Sequence, residues 1–413
     1  MTRPRTPVVM VAALTAAIIM SQFFRSAVAV IAPDLRAQMQ LSPEALGALS
    51  GAFFLAIGAM QIPVGILLDR FGPRRVIPTL LTLVVAGTIV FAGATGPFGL
   101  IAGQALLGIG FSAGLVGGMV AYSRWFPAHR FAAIGALSVG LSGFGVILSS
   151  VPFAWLTEAI GWRGGYLVMG GVTGIILLVV ALVVRDAPPG HDYHARTPEK
   201  LSATIKGVGH IFAERRLWPV LLIGFSCYST MFAIRGLWGG PYLADIHHMD
   251  VIERGNVFLV MSIGTTIGVI IYGYLDQRAR SRRALIVGGS AVICAAFAVL
   301  ALVPQIGAGL ASAMFCVIGL TGTYSILVLS YGRTLFPDHM VGRGITVINF
   351  VNFAGVAFMQ VAAGGIIGLF APKGAPVPEE AYRTMFAFLG MFLLVAAIVF
   401  ARSGSRAGAT RRG

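Results

Sequence analysis

Two arginines carry the chemistry available to this sequence. Arg25 lies in an apolar run from Pro7 to Ile31, and Arg235 in an equally apolar run from Leu217 to Leu243. Each run is long enough to cross a bilayer at the helical rise of about 1.5 Å per residue. A guanidinium stays charged there, and its planar fork matches the paired oxygens of a carboxylate or phosphate. An ionisable residue at that depth is costly, so it reads first as a functional site. The fifteen acids all fall in loops or at predicted helix ends, which leaves two cations and no carboxylate in the bilayer interior. A buried, uncompensated charge costs several kcal/mol. The simplest missing partner is an anionic substrate, to which each guanidinium contributes roughly 4 kcal/mol at 4 Å before desolvation, for an effective dielectric near 20. Snorkelling of the arginines toward an interface is the competing account.

Further polar groups stand at spacings that could complete such a site. Gln22 and Ser26 flank Arg25 at helical spacing, and Tyr228 and Trp238 share the segment of Arg235. Tyr324, and Asn349 with Asn352 at i, i+3, are the candidates further along the chain. No metal or cofactor is indicated. His247 and His248 beside Asp245 and Asp250 have the residue types of a metal cluster, yet read better as a solvated loop. The three cysteines lie inside apolar segments and read as small packing residues.

The elements that must position these groups follow from composition. With 57% hydrophobic and 11% charged residues and a mean hydropathy of +0.86, the chain is far from a soluble domain, where roughly a quarter of residues are charged. Segments of spanning length fall at about 7–32, 44–68, 76–95, 97–122, 131–156, 164–184, 217–243, 251–275, 283–303, 307–332, 343–370 and 382–402. The expected fold is an all-α membrane protein of twelve transmembrane helices. The first segment is too long to be a cleaved signal peptide.

The net charge of +15 reflects topology rather than nucleic-acid binding. Even-numbered loops and both termini collect most of the basic residues, and the opposite side keeps Arg36, Arg163, Arg254, Lys373 and Arg383. By the positive-inside rule both termini are cytoplasmic, as in an integral, multi-pass protein of a bacterial inner membrane.

Landmarks repeat at a nearly constant offset. Arg25 and Arg235 are 210 residues apart (235 − 25), Asp69 and Asp276 are 207 apart (276 − 69), and Phe126-Pro127 recurs 210 residues on (336 − 126) as Phe336-Pro337. This predicts two six-helix pseudo-symmetric halves with a site between them near the midplane. The expected domains are an N-terminal bundle 1–184, a cytoplasmic linker 185–216 rich in proline and basic residues, and a C-terminal bundle 217–413.

After the second segment the chain reads Gly65-Ile-Leu-Leu-Asp69-Arg70-Phe-Gly72-Pro-Arg74. This resembles the G-x-L-x-D-R-x-G-x-R signature of the major facilitator superfamily, and Gly273-Tyr-Leu-Asp276-Gln-Arg278 is a degenerate copy after the eighth segment. The resemblance implies the major facilitator fold, and the sequence shows no nucleotide-binding loop or catalytic triad, so no enzymatic activity is expected. It gives conformational gating roles to Gly65, Asp69, Arg70, Gly72, Arg74 and Asp276, and places the first and seventh helices face to face across a central cavity. An arginine on each of those helices is similar to the arrangement in the organophosphate–phosphate exchangers. Phe24-Arg25-Ser26 resembles the first helix of the anion–cation symporters, except that Phe24 stands where they carry an acid. The expected function is secondary active transport of a small organic or inorganic anion by alternating access, through exchange or coupling to a co- or counter-transported ion. The expected partners are that anion and the lipid bilayer, with the carrier a monomer that binds no nucleic acid. The alternative, a drug–proton antiporter, would want a titratable acid in the membrane interior.

Overall fold

The computed structural model describes residues 6–188, 209, 211–279, 281–336, 341–371 and 377–409. Most of the expected linker, with Arg196, Lys200 and Lys206, lies outside the described residues, as do Arg280, Pro337 to His339 and Lys373. The described chain folds into helices that make up twelve spans. The first span is Thr6–Met39; the second is Pro43–Ala59 with Gln61–Phe71, bent by 44°. The third is Pro73–Ala92, and the fourth Pro97–Phe111 with Gly114–Trp125.

The fifth and sixth spans are set by two local backbone events. The fifth starts as Ala128–Leu148, passes an irregular Ser149-Ser150 step, and resumes in the helix Val151–Val183. That second helix is not one span, because Gly161 at φ 74°, ψ 164° turns the chain within it. Residues before Gly161 therefore finish the fifth span, and those after it form the sixth. The seventh span joins Trp218–Ala233, a π-helical turn Ile234–Trp238 and Gly239–Asp245. The remaining spans are Val251–Arg278, Arg282–Leu302, Ala308–Gly322 with Ser325–Arg333, Val341–Phe370 and Glu379–Ala409. The breaks at Ser112-Ala113 in the fourth span and Thr323-Tyr324 in the tenth stand 211 residues apart (323 − 112), so the internal repeat extends to helix irregularities.

Contacts between the halves form two matching seams. Helix two runs along helix eleven, where Gly47, Gly51 and Gly58 bring its backbone against Gln360, Ala357 and Phe353. Helix eight runs along helix five, where Gly255 meets Val151 and Ala154. Without apolar water-to-protein transfer to drive helix association in lipid, such close backbone packing is the main source of cohesion.

Helix one is longer than expected and runs through Pro33 to Met39. Proline cannot bond the Ala29 carbonyl one turn back. Gly240 of helix seven closes on that carbonyl so tightly that any Cβ would overlap it. The kink-prone point of helix one thus becomes a contact between the halves, and the helix carries Asp34 and Arg36 past the apolar run.

The signature loop depends on one backbone conformation. Gly72 links helices two and three at φ 74°, ψ 161°, a region open essentially to glycine alone. A Cβ there would also strike the Asp186 carboxylate, which accepts a 2.9 Å hydrogen bond from the Arg74 backbone N–H and so caps helix three from the end of helix six. Gly72→Ala is expected to cost about 1–3 kcal/mol, seen as a lower thermal unfolding midpoint of the purified protein. An unchanged midpoint would contradict this account.

Candidate functional site: a crossed arginine pair

Helices one and seven face each other across the interface between the halves, and each sends its arginine to the other half. The Arg235 Nε donates to Ser26 Oγ of helix one at 3.3 Å. The Arg25 guanidinium lies over the ring of Phe353 on helix eleven, 5.1 Å from its centroid. Arg235 itself rests over Phe232 at 4.7 Å, and Phe232 packs against Tyr228, which meets Phe353 edge-on. The two cations therefore share one aromatic cluster, with each ring face contributing roughly 0.5–2 kcal/mol of cation–π attraction. They also repel one another electrostatically. Arg235 is 4% exposed, the Arg25 Nε is buried with no hydrogen-bond partner, and no carboxylate contacts either guanidinium among the described residues.

A widened turn puts Arg235 in this position. Helix seven widens into a π-helical turn at Ile234–Trp238, and Gln360 Nε2 of helix eleven donates to the Phe232 carbonyl just before that turn at 3.0 Å. Toward the end opposite the termini, a cavity of about 10 Å³ lies beside Arg235 among Ser26, Val30, Val146, Ser149, Phe258 and Ser262. That is room for about one water. Beyond it the halves are clamped together. Arg36 of helix one makes two hydrogen bonds to Asp245 of helix seven, at 2.7 and 2.8 Å, and Tyr382 of helix twelve donates to the same carboxylate at 2.6 Å. Arg254 of helix eight, 4% exposed, reaches Asp34 at 3.5 Å and the Val30 carbonyl at 3.3 Å.

The other expected site residues divide. Ser26 and Tyr228 stand with the arginines, and Gln22, one turn before Arg25, keeps its Oε1 buried without a partner. Trp238 lies behind the site and donates to the Gln360 carbonyl at 3.3 Å. The Asn352 amide lies against Gly224 of helix seven and, with its oxygen and nitrogen exchanged, donates to the Gly224 carbonyl at 3.0 Å; Asn349 is half-buried beside it. Tyr324 sits apart, hydrogen-bonded to Ser290 within the C-terminal half. Of the signature residues, Gly65 has open space around it, Arg70 lies over Phe71, and Asp276 is bound by Arg282. Asp69 is exposed at the end of helix two. The loop residues with metal-ligand types are used elsewhere: Asp245 in the clamp, and Asp250 as the N-cap of helix eight in a reciprocal box with Glu253. Burial against Tyr242 holds the His247 imidazole below its ordinary range.

Sequence reading passed over Gln360 and the clamp. Gln360 is the one strongly polar side chain between Asn352 and the end of helix eleven, a signal of the kind that singled out the arginines. The clamp residues looked like ordinary loop charges, because only the fold shows that Arg36 and Asp245 face one another.

Twelve spans in two related halves, with a polar centre where their first helices meet, define a polytopic carrier fold. Residues 14–360 match the Major Facilitator Superfamily, and the chain belongs to that family. The uncharacterized transporter YybO of Bacillus subtilis (strain 168) is 25% identical over 276 residues, 63% of this chain and 63% of that protein. The probable galactarate/D-glucarate transporter GudP of Escherichia coli (strain K12) is 25% identical over 292 residues, 62% and 64%. The hexuronate transporter of the same strain is 23% identical over 283 residues, 64% of each. The matched regions thus span just under two thirds of the length of these relatives. Among solved structures, a bacterial homolog of the human lysosomal transporter Spinster, inward-facing and occupied, superposes with a TM-score of 0.76 at 16% identity, covering 98% of both chains. The nucleoside transporter NupG gives 0.74 at 11% identity, covering 95% of this chain and 98% of its own.

Proposed function

We propose that this chain is a secondary transporter of a small organic anion of the carboxylate class, working by alternating access between the two halves. The observation that carries the reading is the crossed pair: one guanidinium from each half at the interface, both without an acidic partner among the described residues. An anion bound between them touches both halves at once, so it can favour the closed state over either open one, which is the differential binding that carrier movement requires. The names of the relatives support a carboxylate over a phosphate, since galactarate, D-glucarate and hexuronates are sugar acids. The charge distribution supports cytoplasmic termini, which makes the clamped end the outer one.

Coupling follows from the same charges. Closing an empty site around two like charges costs several kcal/mol per charge. A dianion cancels the pair, whereas a monoanion leaves one positive charge that feels about 2.3 kcal/mol per 100 mV. Exchange is therefore expected to outrun net flux. The test uses proteoliposomes with and without internal D-glucarate, measuring uptake of labelled D-glucarate with and without an imposed proton gradient. Faster uptake into preloaded vesicles supports exchange. Uptake that ignores internal anion and follows the proton gradient replaces exchange with proton symport, and an absence of specific binding or uptake for D-glucarate, hexuronates and phosphate alike removes the anion reading.

A further inference from the structure

We infer that Gln360 is a positioning residue for the anion site: it holds the π-helical turn of helix seven open and so sets where Arg235 stands. This deepens the reading above and rests on it only for the part that involves substrate.

Three contacts converge on this one residue, two of them on its side-chain amide. Its Nε2 donates to the Phe232 carbonyl at 3.0 Å, immediately before the widened turn. Its backbone carbonyl accepts from Trp238 Nε1 at 3.3 Å, at the end of the same turn. Gly236, in the middle, leaves the room the amide occupies, since a Cβ there would lie 3.1 Å from Gln360 Nε2. Gln360 thus brackets the turn from both sides, and it is fully buried.

A π-helical turn closes its hydrogen bonds over one residue more than an α-helical turn and is rare, and a buried amide donating at its entrance favours the wider form. Remove the amide, and the backbone relaxes toward a regular α-helix by rotating the segment on one side of the turn. The Arg235 Nε would then leave Ser26, while Gly240 would be driven from its contact with Ala29. The Gln360 carbonyl also lies against Gly47 of helix two. The turn is therefore braced on the seam between helices two and eleven, and movement of that seam reaches Arg235 through Gln360.

Gln360 Oε1 is buried and has no partner, as is true of Gln22 Oε1 and the Arg25 Nε. The Phe232 carbonyl orients the amide, since among the described residues no donor engages Oε1 to compete with it.

The test compares wild type with Gln360→Leu and with Gln360→Met, the latter keeping length and flexibility in case leucine blocks folding. The first readout needs no substrate: amide hydrogen exchange of the purified, ligand-free protein. Peptides covering 232–239 are expected to exchange about tenfold faster or more in either variant, with helices three and nine unchanged. Protection of that turn at the wild-type level in a folded variant overturns the inference. The second readout is uptake of labelled D-glucarate. The lost hydrogen bond and a displaced guanidinium predict a KM raised about tenfold or more, with kcat within about threefold of wild type. An unchanged KM with a lost kcat would assign Gln360 to carrier movement instead and overturn its positioning role. Wild-type protein that takes up no D-glucarate counts against that substrate alone, and the exchange readout then decides the role of Gln360.

Discussion

Arg235→Ala and Arg25→Ala are each expected to abolish anion binding and transport, in protein that still inserts and folds. Removing one partner of a buried, hydrogen-bonded charge pair costs about 3–5 kcal/mol, which is roughly two to three and a half orders of magnitude in affinity at about 1.4 kcal/mol per tenfold. The loss falls on the anion complex, because the empty protein has no acid to leave stranded beside either position. Relief of the repulsion between the two guanidinium groups offsets the lost ring contacts and the Ser26 hydrogen bond, so both alanine variants are expected to unfold near the wild-type temperature. Lysine at either place is expected to restore little. An ammonium offers a point charge in place of a fork, and at position 235 it has no Nε equivalent to reach Ser26. Isothermal titration with D-glucarate and uptake into proteoliposomes check binding and transport separately. Normal uptake by both alanine variants would move the site elsewhere.

Asp245→Asn is expected to open the clamped end. Its carboxylate holds two Arg36 nitrogens and the Tyr382 hydroxyl, with side-chain exposures of 25% for Arg36 and 12% for Asp245. An exposed ion pair contributes at most about 1 kcal/mol and a buried one, when broken, about 3–5 kcal/mol. A half-buried pair falls near 2 kcal/mol, enough to shift the balance between clamped and open states about thirtyfold. The Arg254–Asp34 contact at 3.5 Å remains and limits the shift. Spin labels on Ala37 and His248, exposed at the ends of helices one and seven, measure this by pulsed electron paramagnetic resonance. The asparagine variant is expected to gain a longer-distance population without substrate, and Tyr382→Phe a smaller one. Identical distance distributions in wild type and Asp245→Asn would mean that the pair does not control this end.

The contrast between the Arg25–Arg235 pair and the clamp explains what could be read from sequence alone. A charge inside a long apolar run is conspicuous because its cost depends only on the bilayer, which every residue of the run shares. Composition, the spacing of apolar segments and the offset near 210 residues were therefore enough for twelve spans, two related halves and two central cations. Arg36, Asp245 and Arg254 lie near segment ends, where charges are cheap and common, so nothing in their local sequence distinguishes a clamp from a solvated loop. Gln360 and the widened turn of helix seven escaped for a related reason. A turn of helix differs from its neighbours by one hydrogen bond, and what stabilises the wider form is an amide 128 residues away in the chain. Pro33 shows the same dependence: the isolated sequence predicts the end of a helix, and the close approach of Gly240 to the Ala29 carbonyl accompanies its continuation to Met39. Which segments cross the membrane was local information. Which groups meet between the halves was decided by tertiary packing, because helix faces and not chain neighbours bring Arg25 to Phe353 and Arg235 to Ser26.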